Sequence, residues 1–135
     1  MSRIHNLKKA SQPIDFSGLR INGHIYPTDI DGLIEINNEE YIIFEVKYRG
    51  SEVPVGQRIA LERMTDDFRK AGKRAIAIVC EHSVKDFEKP VKAADCLVRE
   101  VYFGLDVVWR RIDKRLTLRE AIDLFEKRKE NCDEN

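Results

Sequence analysis

The sequence predicts one α/β domain with a mixed central sheet, and three observations carry that prediction. Two β-branched, aromatic-rich runs, 29–36 and 41–48, are separated by the polar Asn37-Asn38-Glu39-Glu40, the pattern of a β-hairpin. An amphipathic stretch over 55–71 precedes the continuous apolar run 75–80, AIAIVC, as in a strand–helix–strand crossover whose second strand is buried on both faces. Thr117, with Glu120 three residues on, reads as a capping box opening a C-terminal helix, LREAIDLFEKRK. The 135 residues suit one domain spanning 1–135, large enough to bury its own core.

Taken in order, the first dozen residues carry Lys8, Lys9 and Pro13 with weak periodicity, which predicts an arm or a short helix. Residues 19–26, LRINGHIY, alternate loosely and predict a first strand. The hairpin follows, and then a loop with Gly50 and Pro54. In the next helix Ala60, Leu61, Met64, Phe68 and Ala71 keep the spacing of three and four that makes one apolar stripe, and Gly72 closes it. The crossover to the buried strand 75–80 is expected to be right-handed. A short helix is expected near 84–87. Residues 96–103 and 106–112, flanking Gly104-Leu105, read as a further strand pair, with Trp109, Tyr102 and Phe103 closing the core beneath the last helix. Leu118, Ile122 and Phe125 form that helix's stripe, and the final NCDEN is expected to fray.

Composition excludes several classes. At 42% hydrophobic and 36% charged, with seven Gly and four Pro, the chain is neither collagenous nor wholly disordered. Lys plus Arg and Asp plus Glu are 24 each, so it is no bulk polycation, although a local basic groove is compatible with the balance. No apolar run approaches a bilayer span, which predicts no membrane partner. The opening MSRIHNLKKASQP lacks the apolar region of a secretory signal. Cys80, Cys96 and Cys132 have no close spacing, so neither a disulfide framework nor a zinc knuckle is expected, and a cytoplasmic setting is.

Register arithmetic on the hairpin brings the chemistry together. Side chains of a strand alternate faces, so Tyr41, Ile43, Glu45 and Lys47 share one, as do Asp29, Asp31, Leu33 and Glu35. With the turn centred on Asn38, Glu45 lies across from Asp31 and Lys47 across from Asp29. Three carboxylates and one ammonium then share one end of one face. Cross-strand acid–lysine pairs on an exposed sheet are common and worth only about 0.2–1 kcal/mol, which is the competing, purely structural reading. Three converging carboxylates raise one another's pKa, however, and a hard divalent cation relieves that repulsion. Mg²⁺ or Mn²⁺ held by such acids, with a lysine beside them, suits phosphodiester hydrolysis.

The residues Pro27-Thr28-Asp29-Ile30-Asp31-Gly32 followed by Glu45-Val46-Lys47 resemble the PD-(D/E)XK nuclease superfamily. The likeness runs over roughly 15–82. It implies a restriction-endonuclease-like core: a mixed sheet with a β-hairpin, a crossover helix and, in this chain, a C-terminal helix. It also implies a metal-dependent nuclease acting on DNA, with Glu45 and Lys47 catalytic and Mg²⁺ or Mn²⁺ as cofactor. Asp31 is the favoured acidic ligand and Asp29 a second ligand or water-holder; the choice between them stays open. Gln57, on the stripe of Leu61, Met64 and Phe68, is similar to a glutamine of exonuclease-like branches and is expected to support the site. Arg49, Arg58 and Lys73 are the candidate nucleic-acid contacts. Members of this size often pair, so a homodimer is compatible with the likeness. The chain departs from the pattern in having no Glu before Glu35; Asp15 is its only upstream acid. A nuclease-like fold that binds nucleic acid or a protein without cutting is therefore the alternative.

Other candidates are weaker. His5, His24 and His82 lack metal-ligand spacing, although His82 ends the buried strand near the hairpin's acids. Cys80 and Cys96 have apolar neighbours and read as core thiols.

Overall fold

A five-stranded mixed sheet in the order β1-β2-β3-β4-β5 organises the chain. The strands are β1 Gly32–Ile36, β2 Glu40–Tyr48, β3 Arg74–His82, β4 Leu97–Tyr102 and β5 Arg110–Arg111; the helices are α1 Val55–Lys70 and α2 Leu118–Asp133. The structure, a computed structural model, describes residues 13–105 and 108–133, with side chains described through 128. The expected N-terminal arm or helix at 1–12, and the last two residues of the expected frayed tail, lie outside the described residues.

The hairpin forms because two asparagines accept the left-handed backbone its turn requires. Asn37 and Asn38 have φ of 50° and 56°, and the Glu39 N–H donates to the Ile36 carbonyl at 2.9 Å. Pairing runs from Ile36↔Glu40 to Gly32↔Phe44, centred on Asn38 as the sequence predicts. The ladder begins at Gly32 rather than at residue 29, so Asp29 and Asp31 precede the strand. Gly32 is dictated by its partner: a Cβ there would lie 2.0 Å from Cζ of Phe44.

β2 and β3 pair in parallel from Glu40↔Arg74 to Tyr48↔His82, with α1 as the crossover between them. Residues 75–80 are all buried, because the two helices cover opposite faces of the sheet. On one face Ile43, Ala77 and Tyr102 meet Leu61 of α1, with Met64, Phe68 and Trp109 around them. On the other, Ile42, Ile76, Ile78 and Val98 meet Leu118, Ala121, Ile122 and Phe125 of α2. Burying each side chain of Leu or Ile size contributes about 1.5–3 kcal/mol. Gly72 at φ 83° turns the chain out of α1, and Lys73 N–H donates to the Phe68 carbonyl. Thr117 and Glu120 make the reciprocal capping box: Glu120 N–H to Oγ1 at 3.1 Å and Thr117 N–H to Oε1 at 3.0 Å.

Several expectations are corrected. Residues 19–26 form a tight turn rather than a strand. Asn22 and Gly23, at φ 54° and 76°, fold the chain back so that only Ile21 and Ile25 bridge. No helix forms at 84–87; a single 3₁₀ turn, Ala93–Asp95, follows instead. Of the expected strand over 106–112, residues 106–107 lie outside the described residues, and among the described ones only Arg110–Arg111 pair as a strand. Trp109 stacks on Tyr102 at 5.4 Å beneath α1 rather than beneath the C-terminal helix, because its indole Nε1–H donates to Glu62 of α1 at 2.8 Å. Among the described residues no helix is long and apolar enough to cross a membrane.

Candidate active site

The hairpin ladder ends where its backbone pairing gives way to a side chain. Asp31 stands one residue before β1, and its Oδ2 accepts the Val46 N–H at 2.7 Å. The bond ties the carboxylate to the strand that carries Glu45, and it leaves the second oxygen, Oδ1, outside that bond. Glu45 projects from the same end of β2 onto the α1 face and is only 2% exposed. Burial pushes its carboxyl up to about 8; the hydrogen bond with Asp31, the Asp31 charge and the Asp29 charge push the same way, while Lys47 opposes them. Asp31 and Glu45 are thus a carboxyl pair, one exposed and one buried, with a lysine close enough to act on it.

Gln57 is the third part. It lies on the first turn of α1, and its Nε2 donates both to Glu45 Oε2 at 2.8 Å and to the Asp29 carbonyl at 2.7 Å. Those two acceptors fix the amide orientation, since a flipped amide would set oxygen against oxygen. The other end, Oε1, is buried with no hydrogen-bond partner. The helix start is thereby pinned to the hairpin at Glu45, as the apolar stripe predicts. Asp29 enters through its main-chain carbonyl and through the charge it exerts on Glu45, and its own side chain is exposed.

Beyond Glu45 the α1 face is thick with charge. Glu81 lies beside Lys47 in the parallel register. Its Oε2 accepts from Arg99 Nε at 3.1 Å and Nη2 at 2.9 Å, while Arg99 Nη1 donates to the Ser51 carbonyl at 2.7 Å. Arg58 pairs with Glu100 and lies over the Trp109 ring at 4.7 Å. Sequence reasoning missed Glu81, Arg99 and Glu100. For Arg99 a β-bulge is the reason: the β3–β4 register shifts between Val79 and Cys80, so Arg99 has no residue of β3 opposite it.

The predicted basic contacts separate. Arg49 adjoins the site's end of β2, its N–H donating to the His82 carbonyl at 2.8 Å. Arg58 is on the site's face but held by Glu100. Lys73 stands at the other end of the hairpin, its Nζ donating to the Asn38 carbonyl and lying 5.9 Å from the Tyr41 ring centre. The residue before β3 necessarily meets the start of β2, and Glu45 lies towards that strand's far end. Asp15 accepts from the Ser17 N–H at 2.8 Å and Ser17 Oγ at 2.9 Å in a local turn.

The donor set suits a hard divalent ion in one respect. Mg²⁺ commonly takes one or two protein carboxylates and completes its shell with water and phosphate oxygens, which is what an adjacent Asp31–Glu45 pair can offer. Among the described residues no group of three or more His, Cys, Asp or Glu is arranged to hold an ion. Cys80 and Cys96 are both buried and free, and burial raises their thiol pKa values, to about 12 for Cys80. They belong to the core. No family model, curated protein or solved structure matches the chain.

Proposed function

We propose that this chain is a divalent-metal-dependent nuclease that hydrolyses phosphodiester bonds in DNA, on a restriction-endonuclease-like core of the PD-(D/E)XK type. The observation that carries the reading is the meeting of the Asp31 and Glu45 carboxyls at the open end of the hairpin, with Lys47 acting on the buried one. A hairpin, a crossover helix and a parallel third strand in that order support the fold assignment.

In this reading Asp31 and Glu45 hold Mg²⁺ or Mn²⁺, and Asp29 adds charge at the rim. The ion supplies Lewis acidity for the reacting phosphate and its attacking water. Lys47 orients that water or meets the charge that develops on the phosphoryl oxygens. Gln57 keeps the Glu45 carboxyl turned toward Asp31 by donating to the oxygen that would otherwise rotate. Arg49 and Arg58 lie where a strand leaving the site would pass; Lys73, at the opposite end, contacts only a longer substrate. A cytoplasmic setting and pairing of two copies across a duplex belong to the same proposal.

The test is incubation of purified protein with single- and double-stranded DNA, with Mn²⁺, with Mg²⁺ and with chelator. Ion-dependent cleavage that Glu45→Ala abolishes is the expected result. Cleavage that persists in chelator or in Glu45→Ala overturns the proposal. Binding without cleavage under every ion favours the non-cutting, nuclease-like alternative.

A further inference from the structure

Off the C-terminal ends of β2 and β3 the chain builds a cavity of about 640 Å³, lined by Arg49, His82, Ser83, Lys92 and Arg115 among others. That is the volume of a small-ligand site. Its cations are largely uncommitted. Among the described residues neither Arg49 nor Lys92 makes a side-chain hydrogen bond or ion pair, and Arg115 acts at longer range on Glu120. Two acids also line the cavity. Glu81 is taken by the Arg99 guanidinium, which leaves Asp95 as the acid with no ion pair facing three cations.

His82 adds a further donor. Its Nδ1 accepts from the Val84 N–H at 3.1 Å, so Nε2 is the ring nitrogen that carries a proton. The ring is steadied edge-on against Tyr48, with centroids 5.5 Å apart. A second cavity, of about 570 Å³, shares Arg49 and Glu81 and adds Arg111, but its other cations, Arg58 and Arg99, are already ion-paired, and Glu52 and Glu100 bring two further carboxylates. An engaged guanidinium must give up its partner to meet an anion, so the first cavity is the better anion site.

Arg49 follows Glu45 by four residues, roughly 13 Å of extended chain. Phosphates of one duplex strand advance about 3.4 Å of axis each, so Arg49, which lines the cavity, stands a few nucleotides along from Glu45. We propose that this cavity receives the terminal phosphomonoester of a nucleic-acid strand, held by Arg49, Lys92 and Arg115 with the His82 imidazole as a further donor. A terminal phosphate carries about −1.5 to −2 charge and three free oxygens, and it ends the chain. Convergent cations in a concave cavity suit it better than an internal diester, which has one charge and must continue past on both sides. The inference rests on the nuclease reading for its choice of polymer, and it deepens that reading by making the enzyme end-dependent.

The experiment measures binding in chelator, so that cleavage plays no part. Labelled single-stranded oligonucleotides of one sequence carry a 5′-phosphate, a 3′-phosphate, or hydroxyls at both ends. The intact chain is expected to bind one phosphorylated form about tenfold tighter than the hydroxyl form. Which form it prefers identifies the end, and Lys92→Ala with Arg115→Ala erases the preference. Both side chains are exposed; Lys92→Gln alone, which narrows the preference, serves should the double variant fail to fold. Equal affinity for all three forms, or a preference that survives the substitutions, overturns the inference. End preference without cleavage under any ion sinks the nuclease reading alone, and cleavage without end preference sinks this one alone.

Discussion

At Glu45 burial and charge act together on a single side chain. An ordinary glutamate titrates near 4.5, whereas here burial and the Asp31 carboxyl push the group up to about 8. Between those values unfolding releases a proton. In chelator, the stability this group contributes is therefore fully present below about pH 4.5 and is lost as pH rises through 8, a decline on the order of a few kcal/mol. Glu45→Gln keeps the shape without the titration. Denaturant melts at pH 5 and pH 8.5 should show wild type losing much more stability than the variant between the two. A variant that declines equally would mean that Glu45 does not titrate there. Lys47 separates holding an ion from using it. Lys47→Ala is expected to lower cleavage by about a hundredfold or more, while Mn²⁺ still raises the melting temperature. Unchanged cleavage rates would remove the lysine from the chemistry.

At the scale of elements, what could be read from the sequence follows the range of the interaction that fixes each one. The β1–β2 register was legible because Asn37 and Asn38 set the turn, and alternation then carries Asp31 to Glu45 without further information. α1 was legible to within a residue because its stripe, Gly50-side loop and Gly72 are local, and so was the Thr117–Glu120 cap. The β2–β3 pairing has no turn to count from, so the placement of Glu81 beside Lys47 was not legible, nor was the end at which Lys73 falls. Arg99 depends on a bulge that no local pattern announces. The turn at 19–26 is hidden for a different reason: Asn22-Gly23 is a turn signal sitting inside an alternating run, and alternation alone reads as a strand. Gly32 offers the sharpest test at this scale. Gly32→Ala drives a methyl into the Phe44 ring and should cost about 1–3 kcal/mol. In a double-mutant cycle, Gly32→Ala on a Phe44→Leu background should cost much less than on wild type. A cost independent of residue 44 would refute steric exclusion as the reason for the glycine.

For the molecule as a whole, three groups from three places in the chain are held at one end of one sheet: Asp31 before β1, Glu45 on β2 and Gln57 on α1. An ion bound by the first two therefore binds the folded chain and not the unfolded one, so it must stabilise the whole domain. At a hundred times its dissociation constant the gain is about 2.7 kcal/mol, enough to move the melting temperature by several degrees. Below pH 8 the ion must first displace the proton that Glu45 holds, so its apparent affinity should fall as pH drops from 8 towards 6, approaching tenfold for each unit. The expected pattern is a Mn²⁺-induced rise in melting temperature that is large at pH 8.5, smaller at pH 6 and absent in Asp31→Asn with Glu45→Gln. A rise of equal size at both pH values, or one that outlasts both substitutions, would locate the ion elsewhere on the surface. The carboxyl pair would then be a hydrogen-bonded pair of purely structural consequence, with Gln57 serving to close the hairpin against α1.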